Sequence, residues 1–178
     1  MNYFHKMKGL STNKTTVSLS EVFWSWIGAF IGIGGVAYIN YNILNETDFI
    51  MLIGSFGASA VLIYGAIKSP LAQPRNLIGG HVISAFVGVT AYQLFSSHLW
   101  LASSLAVATA IAVMHLTKTL HPPGGATALI AVIGSPGIHK LGYLYPFIPV
   151  GAGAFTMLIV ALIVNNIPKT RQYPEYWT

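Results

Sequence analysis

Six stretches of the chain are apolar almost without interruption, at residues 22–39, 49–67, 77–95, 99–117, 122–133 and 143–164. The connectors between them are short, and the connectors and chain ends carry all of the Asn and charged residues. A full membrane crossing needs about 20 residues at roughly 1.5 Å rise each. Five of the stretches meet that length or come close to it. The fifth is too short, reaching only about 18 Å as helix. Ser18-Leu19-Ser20-Glu21 predicts the first helix start, with Ser18 or Ser20 as cap and Glu21 in the first turn. Pro70 and Pro74 forbid helix through the connector that holds Gln73, Arg75 and Asn76.

Composition agrees with this pattern. Of 178 residues, 54% are hydrophobic and 7% charged, and the mean hydropathy is +0.64. Soluble domains carry roughly 25% charged residues, so this chain cannot cover a water-facing surface. The expected fold class is all-α, a polytopic transmembrane helical bundle of about six passages including broken or half helices. The lipid bilayer is its first partner. The sequence has no Cys, which removes thiol chemistry and Cys-based metal sites.

The net charge of +5 does not point to nucleic acid, because Lys and Arg sit in the connectors. Counting six passages from an inside N-terminus puts Lys6, Lys8, Lys14, Lys68, Arg75, Lys118, Lys169 and Arg171 on one side and Lys140 alone on the other. That asymmetry is the positive-inside pattern, with both termini cytoplasmic. The expected organisation is a cytoplasmic segment 1–20, a transmembrane domain 21–168 with halves at about 21–95 and 99–168, and a cytoplasmic tail 169–178. The first apolar run lacks a small-residue cleavage site, so it reads as retained. A short uncleaved N-terminus without transit-peptide character suggests a bacterial-type inner (plasma) membrane.

The halves share a motif. Gly57-Ala58-Ser59-Ala60 and Gly125-Ala126-Thr127-Ala128 are each followed by aliphatic residues and then by Ser-Pro, at Ser69-Pro70 and Ser135-Pro136. Three passages separate the copies, so the pattern predicts an inverted 3+3 repeat. Gly54 precedes and Gly57 opens one copy, and Pro122, Pro123, Gly124 and Gly125 precede or open the other. These residues disfavour regular helix, so two half helices are expected to begin near mid-depth. Paired interruptions in matching positions point to a transport site. Two helix N-termini favour a small anion, and the spans contain no acidic residue to serve a cation.

His121-Pro122-Pro123-Gly124-Gly125-Ala126-Thr127-Ala128 resembles the signature of the HPP family of integral membrane proteins. The resemblance extends to Ser69-Pro70-Leu71-Ala72-Gln73-Pro74-Arg75-Asn76, Gly79-Gly80-His81, Thr117-Lys118-Thr119-Leu120, Asn165-Asn166 and Tyr173-Pro174-Glu175-Tyr176-Trp177. The family is described with about four spans, against the six passages counted here. Similar members in chloroplasts and cyanobacteria are associated with nitrite transport. The resemblance therefore implies transport of nitrite or a similar small inorganic anion, without a cofactor. Longer relatives carry appended regulatory domains for which this chain has no room.

The candidate substrate-binding residues are His121, Pro122, Pro123, Gly124, Gly125, Thr127, Gly57, Ser59, His81, Arg75, Asn76 and Lys118. Each also has a plainer role. The prolines start a helix, His121 caps it, Ser59 and Thr127 bond their own helix backbone, and Arg75 and Lys118 set topology. Gln73 and Asn76 either donate to an oxyanion or satisfy their turn. Gly28, Gly32, Gly35, Gly151 and Gly153 read as helix-packing surfaces, which makes a homo-oligomer conceivable. His121 beside a weak-acid anion also suggests proton-coupled movement.

Two other function classes stand beside anion transport. A metal or cation transporter would use His81, His115 and His121 as imidazole ligands. A structural membrane subunit needs no site at all. An enzyme is not expected, because no nucleophile triad, paired intramembrane carboxylates or phosphate-cradling loop is present.

Overall fold

The computed structural model describes residues 16–44 and 51–177. The acidic connector Asn45-Glu46-Thr47-Asp48 and Lys6, Lys8 and Lys14 lie outside the described residues. The regular structure of the described residues is helical: α1 (Leu19–Tyr38), α2 (Ser55–Ala60), α3 (Pro74–Phe95), α4 (Leu99–Leu116), α5 (Pro122–Ile133), α6 (Pro136–Leu141) and α7 (Ala152–Val164). Wide π-type turns extend α1 through Ile39–Ile43 and α2 through Val61–Gly65, and another, Pro146–Gly151, leads into α7. Four units are long and apolar enough to cross a membrane, at Leu19–Ile43, Pro74–Phe95, Leu99–Leu116 and Pro146–Val164. Ser55–Gly65 and Pro122–Ile133 are the two shorter apolar helices. Among the described residues the chain is thus a polytopic helical bundle with four membrane-length helices, two shorter apolar helices and the brief α6.

Local chemistry sets these boundaries. Ser18 is the α1 cap, its hydroxyl accepting from the Glu21 N–H at 3.2 Å. Ahead of α2 the buried chain runs non-helically through Met51 and Ile53. The Asn40 side chain accepts from the N–H groups of Met51 and Leu52 at 2.8 and 3.1 Å. Such partners are what allow irregular backbone at membrane depth. Pro74 occupies the first turn of α3, and Pro122 and Pro123 that of α5, where the missing N–H costs nothing. At the end of α4, Lys118 takes a left-handed conformation (φ 58°). The Thr119 N–H returns to Met114 O at 2.9 Å, closing the helix as a Schellman turn.

Packing relies on close approach. α3 lies against both α4 and α5, and α1 against α7. On α1, a Cβ at Gly28 would stand 2.7 Å from the Tyr64 ring, and one at Gly32 would collide with the Tyr64 hydroxyl. That hydroxyl donates to Met157 O at 3.0 Å, tying α1, the turn after α2 and α7 together. Gly153 receives the Phe56 ring in the same way. Gly35 makes only ordinary contact, so the small-residue surfaces are used unevenly. Phe23, Trp26, Phe30, Leu94, Trp100 and Ile163 are exposed, and this is the apolar exterior that a bilayer covers.

The two ends of the bundle sequence meet. Arg171, its side chain only 1% exposed, pairs with Glu21 at 2.9 Å. It also donates to Ser25 Oγ, Asn165 Oδ1 and Tyr64 O. The start of α1 and the tail after α7 therefore lie at one face of the membrane domain. Lys68 lines the same surface cavity as Glu21 and Arg171.

Candidate functional site

His81 sits on α3 directly after Gly80, a point of close α3–α5 approach. A Cβ on Gly80 would stand 2.5 Å from His121 Cβ and 2.8 Å from Thr119 O, and one on Gly124 would stand 2.7 Å from Gly80 O. Glycine at both positions lets the backbones touch, and that contact brings His121, at the start of α5, against α3. The imidazole rings of His81 and His121 are 5.0 Å apart in an edge-on arrangement, and Phe56 covers His81 on another side at 5.3 Å.

A continuous hydrogen-bonded chain joins the rings to both short helices. Ser59 Oγ lies 2.6 Å from His81 Nε2 and 2.9 Å from His121 Nε2. On the far side, His81 Nδ1 lies 2.6 Å from Thr127 Oγ1. Thr127 Oγ1 in turn is 2.8 Å from Ser55 Oγ and 3.2 Å from Pro123 O, and Tyr145 OH donates to Thr127 O at 3.2 Å. His121 Nδ1 lies 2.8 Å from Leu71 O. Ser59, His81, His121 and Thr127 are all 0% exposed. The third residue of each Gly-Ala-(Ser/Thr)-Ala motif therefore contacts an opposite nitrogen of the same imidazole.

The α5 N-terminus is not a free row of amide donors. Pro122 and Pro123 have no N–H, and the Gly124 N–H donates to His121 O at 2.8 Å. At α2, the Phe56 and Gly57 N–H groups are likewise taken by Ile53 O and Gly54 O. Side chains, not amides, fill the space between the two helix starts.

A second cluster lies at the same end of the network. Pro70, Leu71, Arg75, Asn76, Lys118 and Tyr176 line a cavity of about 310 Å³. Arg75 and Lys118 are exposed, with Arg75 Nη2 donating to Thr117 O at 2.8 Å. Asn76 donates to Leu120 O at 2.8 Å, so its amide holds the α4–α5 connection. Gln73 donates to Ile67 O and Ser69 O at 3.0 and 2.8 Å and accepts from the Glu175 N–H at 2.9 Å, which makes it a turn residue. Leu71 belongs to both clusters, through its side of the cavity and its carbonyl on His121.

The structure thus gathers His81, His121, Ser59 and Thr127 in one place, with Pro123 and Gly124 buried beside them. Arg75, Asn76 and Lys118 gather in the adjoining cavity. Gly57 and Pro122 face outward, and Cβ atoms at Gly57 or Gly125 would meet nothing closer than 3.9 Å. His115 is exposed on an apolar groove between α4 and α5 and does not join the other two imidazoles. Among the described residues no three metal-ligating side chains cluster. Sequence reasoning missed Ser55, Tyr145 and Ser84. Ser84 Oγ is buried without a hydrogen-bond partner, 2.8 Å from the position of a Cβ on Gly124. Its place three residues after His81 on one helix face was the available signal.

Fold and site together define a polytopic helical membrane protein with a buried polar network beneath a basic cavity. The HPP transmembrane region matches residues 14–174, and the chain belongs to that family. Two transmembrane proteins of Dictyostelium discoideum are similar to it. One is 48% identical over 99% of this chain and 58% of its own length. The other is 44% identical over 99% of this chain and 64% of its own length. The chain therefore spans about three-fifths of these relatives. No solved structure matches.

Proposed function

We propose that this chain moves a small inorganic anion, nitrite foremost, across the membrane, with both termini cytoplasmic and without covalent chemistry. One observation carries the reading. A cavity with two cations, Arg75 and Lys118, adjoins through Leu71 a buried network in which, among the described residues, no carboxylate takes part. Cationic clefts concentrate anions, and imidazole and hydroxyl groups can donate to an oxyanion. Ser84 supplies a further buried hydroxyl at the α5 N-terminus, the positive end of that helix dipole. The placement of Ser59 and Thr127 on one imidazole supports the inverted-repeat reading. Because the four network side chains are fully buried, passage requires α2 and α5 to part around His81.

Nitrite uptake into proteoliposomes, beside empty liposomes, tests this directly. Protein-dependent, saturable uptake is expected. A double Arg75→Gln, Lys118→Gln variant should lower the rate at limiting nitrite by about tenfold, the lower range of electrostatic focusing, and the defect should shrink in high salt. Uptake no faster than through empty liposomes would remove nitrite as the substrate.

A further inference from the structure

The hydrogen count of the buried network allows two arrangements that differ by one proton. Leu71 O only accepts, so the 2.8 Å contact requires a hydrogen on His121 Nδ1. Ser59 has a single hydrogen to divide between two imidazole nitrogens at 2.6 and 2.9 Å. In the first arrangement Ser59 donates to His121 Nε2, His81 Nε2–H donates to Ser59, and Thr127 donates to His81 Nδ1. Both histidines are then neutral. In the second, Thr127 turns its hydrogen to Ser55 Oγ or Pro123 O. His81 Nδ1–H then donates to Thr127, Ser59 donates to His81 Nε2, and His121 Nε2–H donates to Ser59. His121 now holds hydrogens on both nitrogens and is an imidazolium.

We infer that the chain Thr127–His81–Ser59–His121 is a proton-binding relay that takes up one proton, stored on His121, with each anion that is moved. The inference rests on the transport reading above and names the co-substrate of that site. The conversion balances. A proton arriving at Thr127 Oγ1 releases the Thr127 hydrogen to His81 Nδ1, the His81 Nε2 hydrogen passes to Ser59, and the Ser59 hydrogen passes to His121 Nε2. One proton enters, every oxygen and His81 end neutral, and the added charge rests on His121.

The surroundings couple this charge to an anion. His81 and His121 are the titratable side chains of the relay, and Tyr145 reaches it only through Thr127 O. α4 places Met114 against Gly124 beside the relay, and Arg75 is turned to Thr117 O. A cation buried here is opposed by the positive end of α5 and, among the described residues, hydrogen-bonded to no carboxylate. A small anion seated beside His121 provides the missing charge, so proton and anion stabilise one another and travel as an electroneutral pair.

The test uses proteoliposomes of the full chain holding a pH-sensitive dye, with potassium and valinomycin setting the membrane potential. Above the empty-liposome background, one proton should enter per nitrite, at a rate unchanged by the imposed potential. Ser59→Ala should lose the response to a pH gradient, and Ser59→Thr should restore it. Nitrogen-15 histidine NMR in nanodiscs should show both His121 nitrogens protonated only when nitrite is added. Protein-dependent uptake that follows the potential without acidifying the lumen overturns the coupling and leaves transport standing, as does full coupling in Ser59→Ala. Absence of protein-dependent uptake of nitrite, nitrate and formate overturns both.

Discussion

Replacing Gly80 with valine is expected to destabilise the protein by about 3 kcal/mol, the upper range of overpacking, and to displace His121. Even the first added carbon would stand 2.5 Å from His121 Cβ and 2.8 Å from the Thr119 carbonyl. The carbonyl is backbone, held by the turn that ends α4, and cannot rotate away. Gly57→Ala is the matched control, since nothing lies within 4 Å of a Cβ there. It should be neutral or stabilising by up to about 1 kcal/mol through helix propensity. Thermal unfolding of both variants in detergent checks the contrast. Equal melting points would refute the close α3–α5 crossing.

Arg171→Ala should be similarly damaging, at about 3–5 kcal/mol, the range for breaking a buried ion pair. The guanidinium holds Glu21, Ser25, Asn165 and the Tyr64 carbonyl at once, so its loss unties α1, the turn after α2, the end of α7 and the tail together. Glu21→Gln should cost less. The Glu21 side chain is 36% exposed, and the arginine keeps its other acceptors. Unfolding midpoints should rank wild type above Glu21→Gln and Glu21→Gln above Arg171→Ala. The reverse order would mean that the glutamate, not the arginine, organises this junction.

That junction also marks where sequence reasoning stopped. Arg171 and Glu21 are separated by 150 positions, and each is fully accounted for locally, one as a topology charge and the other as a first-turn acid. Nothing in either neighbourhood signals the partner. The half helices were legible because Pro and Gly act on the backbone within a residue or two. The polar network was legible in part. His81, His121, Ser59 and Thr127 stood out because polar groups in apolar spans are few, and Gly79-Gly80 flagged a close approach beside His81. Which imidazole nitrogen meets which hydroxyl depends on the α3–α5 crossing, which no periodicity encodes. His115 shows the opposite failure. Six residues from His121 in sequence, it sits on α4 one position past Met114, off the buried stripe Ala102, Ala106, Ala110 and Met114, and so faces the outer surface.

The tail adds a mechanical side to this arrangement. Tyr173 OH donates to Ala72 O at 2.7 Å, and the Glu175 N–H donates to Gln73 at 2.9 Å, so the final residues strap down the turn whose Leu71 carbonyl faces His121. Tension or a bulky attachment on the C-terminal side would be transmitted to an imidazole 50 positions away from Leu71 in the chain.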